Sequence, residues 1–124
     1  MQKYVEYISY WHQQREEERL QLEKLWEKAQ QIAKRCALVL AKKYGVKKVY
    51  AVGSLAEPQR FHFSSDIDLA VEGLKSHLYF SALKDVWKLL PAGMELDLIP
   101  LEDISQKRKN FILSRGKLIY EKQV

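Results

Sequence analysis

Two aspartates one residue apart, Asp66 and Asp68, begin a hydrophobic segment of the sequence. Successive side chains of a β-strand point to opposite faces, so both carboxylates would share one face while the apolar residues between and after them pack on the other. The later segment 94–101, MELDLIPL, alternates in the same way and carries Asp97. If the two segments are neighbouring strands in register, all three carboxylates meet on one face of a sheet.

Three carboxylates this close would repel one another and raise each other's pKa unless a cation lies between them. Mg²⁺ prefers oxygen ligands and typically takes one or two carboxylates together with phosphate oxygens. Two such ions about 4 Å apart activate the attacking oxygen and stabilise the leaving oxygen in phosphoryl or nucleotidyl transfer. The aspartates therefore predict a magnesium site. The alternative is that each is an ordinary solvated acid on an exposed strand.

A glycine–serine pair, Gly53-Ser54, ends another strand-like segment, and eleven residues separate it from Asp66. Gly53 would let the backbone come close to a phosphate, because it has no side chain. Backbone N–H groups and the Ser54 hydroxyl could then hold triphosphate oxygens. Alone, such a pair is usually only a turn. Combined with the aspartates, it predicts that phosphate and metal are held side by side.

The elements that must position these residues follow from periodicity and from the glycines and prolines. Strands are expected at 46–53, 66–73 and 94–101, with a short last strand at 117–121. Residues 3–44 contain neither glycine nor proline, so they can form one long helix or two helices end to end. Further helices are expected over about 102–115 and from Ser76 onward. The apolar face of the helix after Ser76 would hold Phe80, Leu83, Trp87 and Leu90.

This order predicts an α/β (α+β) fold with a mixed β-sheet, helices packed on one face, and a long N-terminal helical segment. We expect one domain over 1–124, with 1–28 as a helical extension and 29–121 as the core. The run 15–19, REEER, is either a solvated face or a break between helices. The aromatic residues of the extension could form a dimer or partner interface, or fold back as extra core; they are Tyr4, Tyr7, Tyr10 and Trp11.

The composition of the chain limits the kinds of ligand, disulfide and membrane segment that it can have. The net charge of +5 and the pI of about 9.3 fit a polyanionic ligand, or simply an evenly solvated basic surface. The single cysteine, Cys36, excludes an internal disulfide. No apolar run has the length of a membrane span and the start lacks a signal-peptide core, so we expect a cytoplasmic protein without membrane association.

The sequence resembles the nucleotidyltransferase superfamily that includes DNA polymerase β, and most closely its minimal nucleotidyltransferase branch. The family signature is a hydrophobic residue and Gly-Ser, then a gap, then Asp-hydrophobic-Asp-hydrophobic. The matching residues here are Val52, Gly53, Ser54, Asp66, Ile67, Asp68 and Leu69. Asp97 matches the third carboxylate, and Ser65 matches the serine before the first acid. The resemblance spans roughly residues 30–121 and implies a nucleotidyltransferase-like fold.

The nucleotide-binding residues implied by the resemblance are Gly53, Ser54 and Ser65. Asp66 and Asp68 would bind Mg²⁺, and Asp97 would complete the metal site and help deprotonate the attacking hydroxyl. Two magnesium ions are expected with the nucleotide bound. The implied reaction is in-line attack of an acceptor hydroxyl on the α-phosphate of an NTP, expected to be ATP, with transfer of NMP and release of pyrophosphate.

The loop after Gly53-Ser54 departs from the family pattern. Minimal members often carry basic residues and a glycine there, whereas this chain has Leu-Ala-Glu-Pro at 55–58. Glu57 would weaken triphosphate binding unless it points away, and Arg60 is the first cation of the loop. Among the basic residues near the C-terminal end, Arg108 or Lys109 could reach the triphosphate or a nucleic acid.

Members of the minimal branch are often paired with a small helical HEPN protein in toxin–antitoxin systems, and some transfer AMP to a tyrosine of that partner. The resemblance thus implies a Mg²⁺-dependent nucleotidyltransferase that binds an HEPN-type protein partner, forms a homo-oligomer, or does both. The alternative is a non-catalytic antitoxin or regulatory module that acts by contact with such a partner. Template-independent nucleotide addition to an RNA end is a third reading. The basic clusters permit nucleic-acid binding, but no motif here reads bases.

Overall fold

The computed structural model describes residues 2–123. Three α-helices and four β-strands alternate along the chain, in the order α1 (Gln2–Tyr44), β1 (Lys48–Val52), β2 (Ile67–Glu72), α2 (Tyr79–Trp87), β3 (Leu96–Pro100), α3 (Gln106–Arg115) and β4 (Lys117–Glu121). Short 3-10 turns follow β1 and β3 and precede α2. Within residues 2–123, no helix combines the length and apolar character that crossing a membrane requires.

The strands form one four-stranded sheet in the order β3-β2-β1-β4. β1 runs antiparallel to both β2 and β4, while β2 and β3 are parallel and are joined through α2. The mixed sheet and the long N-terminal helix are as the sequence predicted. The parallel register places Asp68 opposite Asp97, so the two strands with the alternating acid pattern are direct neighbours.

One face of the sheet is covered by α1 and α2. The packed stripe of α1 repeats at three- and four-residue spacing and is made largely of small residues, which let the helix approach the sheet closely. Its fully or nearly fully buried members are Ala29, Ile32, Ala33, Cys36, Ala37 and Leu40. The strands present Val49, Leu69 and Leu98 to this layer, and all three are buried.

The opposite face is partly covered by α3, which differs from the prediction that the helices lie on one face. Val52, Ala70 and Leu101 form a second, smaller core there. The α3 residues Ile112 and Leu113 pack against it. Val52 and Ala70 are small side chains at the centre of this face, so α3 can pack closely on the sheet there. The acid-bearing face is therefore walled by α3 rather than open.

α1 is continuous through the acidic run, so there is one helix and not two. Within that run the Arg19 guanidinium pairs with Glu16 at 3.0 Å and with Glu23 at 2.8 Å, and all three side chains are exposed. The run is thus a solvated face of the helix, held by pairs at i, i+3 and i, i+4 spacing.

The packed face of α2 agrees with the predicted one only in part: Leu83, and Leu90 beyond the end of the helix, pack against the core as predicted, whereas Phe80 and Trp87 do not. Ala82 and Val86 are its buried residues, whereas Phe80 is 81% exposed and Trp87 is 42% exposed. Ser76 lies in the 3-10 turn before the helix, which begins at Tyr79. The smaller residues Ala82 and Val86 occupy the buried positions because α2 packs directly beside α1 over the sheet. Bulky rings at these positions would hold the two helices apart.

Candidate active site

A cleft of about 370 Å³ opens between the sheet and α3 on the acid-bearing face. Its residues come from the strands and the turn after β1, from the loop after that turn, and from α3 and the glycine behind it. They are Val52, Gly53, Asp68, Asp97, Ile99, Glu57, Arg60, Arg108, Phe111, Ile112, Arg115 and Gly116. Acidic, basic and apolar groups thus share one cavity, as recognition of a charged organic ligand requires.

Asp68 and Asp97 form the acidic centre of the cleft. They occupy paired positions of β2 and β3 and so stand on the same face of the sheet. Asp68 is half-buried, and burial is the main reason that its pKa is raised to about 6. The charge of Asp97 raises this pKa further, and so, less strongly, does that of Asp66. The site therefore opposes ionisation of Asp68 unless a cation compensates.

Asp66 is close to this pair without lining the cleft. β2 begins at Ile67, so Asp66 lies in the preceding loop, and its side chain is exposed. Across residues 2–123, no three histidine, cysteine, aspartate or glutamate side chains gather closely enough to hold a metal together. The preassembled centre is a pair of carboxylates with a third on the adjoining loop. This donor set fits Mg²⁺, which takes one or two carboxylates and fills its other positions with phosphate oxygens and water.

Gly53 brings the backbone against the acidic pair. Its φ of +64° is a left-handed conformation that glycine adopts without strain. A Cβ at this position would lie 2.8 Å from Oδ2 of Asp68. The glycine is thus required twice, by the backbone conformation and by the close approach of a carboxylate. Any other residue here would push Asp68 out of its place.

The two serines predicted to bind nucleotide lie outside the described cleft lining. Ser54 is half-buried in the 3-10 turn Gly53–Leu55, directly behind the glycine. Ser65 is nearly buried, and its hydroxyl accepts a hydrogen bond of 2.9 Å from the backbone N–H of His62. The Ser65 backbone N–H donates in turn to the His62 carbonyl at 3.0 Å. The contacts of Ser65 therefore close the loop that leads into Asp66.

Arginines form the basic wall of the cleft opposite the acids. Arg108 and Arg115 are two helical turns apart on α3, so both side chains lie on the face that borders the cleft. The Arg115 guanidinium lies over the ring of Phe111, 4.8 Å from its centroid. The third arginine, Arg60, comes from the loop and pairs with Glu57 at 3.1 Å. Guanidinium groups bind phosphate oxygens in a bidentate manner, so this wall suits a polyphosphate.

Of the arginines in this basic wall, the sequence predicted only one as a phosphate-binding residue. Arg108 was singled out as a residue that could reach a triphosphate, whereas Lys109, named beside it, is not among the lining residues. Arg115 and Phe111 were missed as cleft residues. The spacing 108, 111, 115 was the available signal, since these positions fall on one helical face. Glu57 does line the cleft, but its charge is paired with Arg60 and not left free.

Comparison with solved structures identifies proteins that share this fold. Several solved structures share the fold, and three of them are toxin–antitoxin assemblies. The first, a toxin–antitoxin with AMP-PNP, has a TM-score of 0.59 and 21% identity over 73% of this chain and 74% of the other. The second, a tri-AMPylated Shewanella oneidensis HEPN toxin in complex with an MNT antitoxin, has a TM-score of 0.57 and 20% identity over 77% and 74%. The third, MntA-HepT, has a TM-score of 0.54 and 19% identity over 75% and 74%.

Sequence comparison with curated proteins finds no match. The model of the family described as polymerase beta nucleotidyltransferase matches residues 34–124, which is most of the chain. That range includes the glycine turn, both acid-bearing strands and the arginine wall. The protein therefore belongs to the polymerase β nucleotidyltransferase family, with the fold of the minimal nucleotidyltransferases of toxin–antitoxin pairs.

Proposed function

We propose that this protein is a Mg²⁺-dependent nucleotidyltransferase that transfers AMP from ATP to a hydroxyl group of an acceptor. The observation that carries the proposal is the pairing of Asp68 with Asp97 in one cleft, opposite Arg108 and Arg115. Mg²⁺ bound by these carboxylates would neutralise charge on the phosphates and on the attacking and leaving oxygens. The reaction forms a bond from the acceptor oxygen to the α-phosphorus and releases pyrophosphate.

The other roles in the reaction, which are proton acceptance, phosphate binding and completion of the metal site, belong to different residues of this chain. Asp97 is exposed at the cleft, where its carboxylate can accept the proton of the acceptor hydroxyl. Arg108, Arg115 and Arg60 face the acids and would bind the phosphates that leave as pyrophosphate. Gly53 lets the triphosphate lie against the backbone beside Asp68. Asp66, on the adjoining exposed loop, would complete the metal coordination once the nucleotide has brought the ion into place.

The acceptor in this proposal is a tyrosine of a helical HEPN-type partner. Support comes from the structures with the same fold. One contains a tri-AMPylated HEPN toxin with its MNT antitoxin, and another is a toxin–antitoxin with AMP-PNP. The first shows an AMP-modified protein in company with this fold, and the second an ATP analogue. Transfer of AMP to the partner would then be how this chain acts as an antitoxin.

The first test is Mg²⁺-dependent ATP binding, measured by calorimetry on the wild type and on Asp68→Asn. The expected result is binding that needs the metal and is lost in Asp68→Asn. Asp103→Asn is the matched control, because Asp103 is an exposed acid outside the described cleft lining and should leave binding unchanged. Absence of binding by the folded wild type in the presence of Mg²⁺ would refute the proposal of a working nucleotide site.

A contact-only antitoxin is the second candidate function. One observation favours it: among residues 2–123 the three aspartates do not form a ready-made metal cluster. The double variant Asp66→Asn/Asp68→Asn separates the two functions. If the protein acts by transfer, the double variant binds the partner but neither labels it from radioactive ATP nor neutralises it. If it acts by contact, neutralisation survives.

A further inference from the structure

The first half of α1 projects beyond the body of the domain, and we call its residues 4–20 the α1 arm. The apolar side chains of the arm are all exposed, from 43% at Ile8 to 71% at Tyr4. Leu22 is the first residue along α1 that packs against the core. Most of the stability of a helix in a protein comes from packing of its apolar face, and the arm leaves its large apolar side chains in solvent. These are the properties of a helix that forms part of an interface.

Four residues form a continuous stripe on one side of the arm, and we call Tyr4, Tyr7, Ile8 and Trp11 the arm stripe. Steps of four and three residues relate Tyr4, Ile8 and Trp11. The same steps lead on through Arg15 and Glu18 to Leu22, so one heptad pattern runs from the arm into the packed part of the helix. The arm stripe is therefore the outward continuation of the face that α1 packs on the sheet.

A groove of about 290 Å³ lies where the arm joins the domain, and we call it the base groove. Leu22 and Trp26 of α1 form one wall, and Pro58 and Phe61 of the loop form the other. Its lining is mainly apolar, and it lies further along the same side of α1 than the arm stripe. Two polar residues, Arg15 and Glu18, separate the apolar stripe from the apolar groove.

We propose that the arm stripe and the base groove bind a second copy of this chain, with the two arms packed antiparallel. In this arrangement each residue of one arm faces the residue of the other arm for which the two residue numbers sum to 26. Tyr4 of each copy lies against Leu22 of the other and enters its base groove, and Trp11 lies against Arg15 of the other copy. The pair has two-fold symmetry, so each contact occurs twice.

Chemical matching selects this register. Trp11 and Arg15 form a cation–π pair, the most favourable of the aromatic–cation combinations. Polar residues inside an otherwise apolar seam fix the register of paired helices, and Arg15 and Glu18 are the two polar residues of this seam. Sliding the helices one heptad further would bring Tyr4 against Ala29, which is fully buried in its own core, whereas Leu22 is only partly buried. The loop wall at Pro58 and Phe61 therefore marks where the second arm must stop.

The dimensions also agree. From Tyr4 to Leu22 the helix rises about 27 Å, so two arms overlap over five turns with each tip at the other's base groove. An aromatic side chain buries about 150–250 Å² in full. With about half of that exposed on each member of the stripe, the two copies bury on the order of 1,000 Å². This is below the range of stable specific interfaces and within that of weak, transient ones, so we expect a dimer of micromolar affinity.

The dimer proposal does not rest on the proposed catalytic function, because no residue of the arm lines the cleft. The test is sedimentation equilibrium of the full chain from about 1 to 100 μM, the range in which a minimal interface dissociates. The wild type should be dimeric at the upper end. Trp11→Ala should raise the dimer dissociation constant at least about tenfold, as for a central aromatic anchor. Leu20→Ala is the matched control, since Leu20 is 48% exposed but points away from the stripe.

Cross-linking tests the orientation independently. A mixture of the Tyr4→Cys and Leu22→Cys proteins should form a disulfide between the two variants under mild oxidation, while Tyr4→Cys alone should not. Cys36 is buried and stays out of the reaction. A monomeric wild type at 100 μM would overturn the proposal, even if another protein were found to bind the stripe. A dimer that Trp11→Ala leaves intact, or a Tyr4→Cys protein that cross-links to itself, would equally overturn it.

Discussion

Replacing Asp68 by asparagine should stabilise the metal-free protein while abolishing its function. The pKa of Asp68 is raised from 3.8 to about 6 in the folded state, first by burial and then by Asp97 and Asp66. The folded protein thus holds this proton more tightly than the unfolded chain does. Its stability falls as the pH rises from about 4 to about 6, and above that range the full penalty of the charged form is present.

The magnitude follows from the shift. Each pKa unit corresponds to about 1.36 kcal/mol, so a shift of about two units would amount to about 3 kcal/mol. Asp68 is only half-buried, and water screens part of this interaction, so about 1–2 kcal/mol is the realistic penalty. Asp68→Asn keeps the shape of the side chain and removes the charge. The variant should therefore gain about 1–2 kcal/mol at pH 8 and almost nothing at pH 4.

Urea unfolding in the presence of EDTA, at pH 8 and at pH 4, measures this difference. For a chain of this size the gain corresponds to an increase of about 0.5–1 M in the urea midpoint at pH 8. Asp103→Asn, at an exposed acid, should shift the midpoint little at either pH. A variant that is less stable than the wild type at pH 8, or equally stabilised at both pH values, would refute the argument that burial and the neighbouring acids disfavour the ionised form of Asp68.

Two further predictions concern the walls of the cleft. Gly53→Ala should lower both stability and ATP affinity, because alanine is strained by about 1–2 kcal/mol at φ +64° and its Cβ would displace the Asp68 carboxylate. Thermal unfolding and calorimetry measure the two effects, and an unchanged ATP affinity would contradict the role given to the turn. Arg115→Ala should weaken ATP binding about tenfold, as expected for one charged hydrogen-bonding group, and should weaken AMP binding much less. Lys117→Ala, at an exposed cation outside the described lining, is the control, and equal losses for AMP and ATP would argue against a polyphosphate wall.

The sequence predicted the acidic centre because strand alternation is a strict geometric rule. Once β2 and β3 are neighbours in register, the parity of Asp68 and Asp97 places both on one face. Asp66 lies one residue before the strand, which begins at Ile67, and its charge still raises the pKa of Asp68. Pairing partners outside the segment decide where a strand starts, and the pattern within the segment does not contain that information.

The position of α3 could not be predicted from the sequence, and the reason is different. Its sequence, QKRKNFILSR, has a weak apolar stripe, and none of its residues is buried. A helix of this kind is placed by the space available on the sheet, here beside Val52 and Ala70, and not by its own pattern. The arginine wall therefore emerged only from the assembled fold, although the seven-residue spacing of Arg108 and Arg115 was visible from the start.

The two walls of the cleft differ in rigidity, and the difference bears on how the site would work. Asp68 stands on the central strand β2 and Asp97 on the edge strand β3, and these two strands are paired along their length over a buried layer. Arg108 and Arg115 stand on a helix held mainly through Ile112 and Leu113. Groups that fix a metal must keep their geometry, whereas groups that bind flexible phosphates gain from adjustment. A sheet that fixes the acids and a lightly anchored helix that carries the arginines would let the basic wall close on a triphosphate without disturbing the carboxylates.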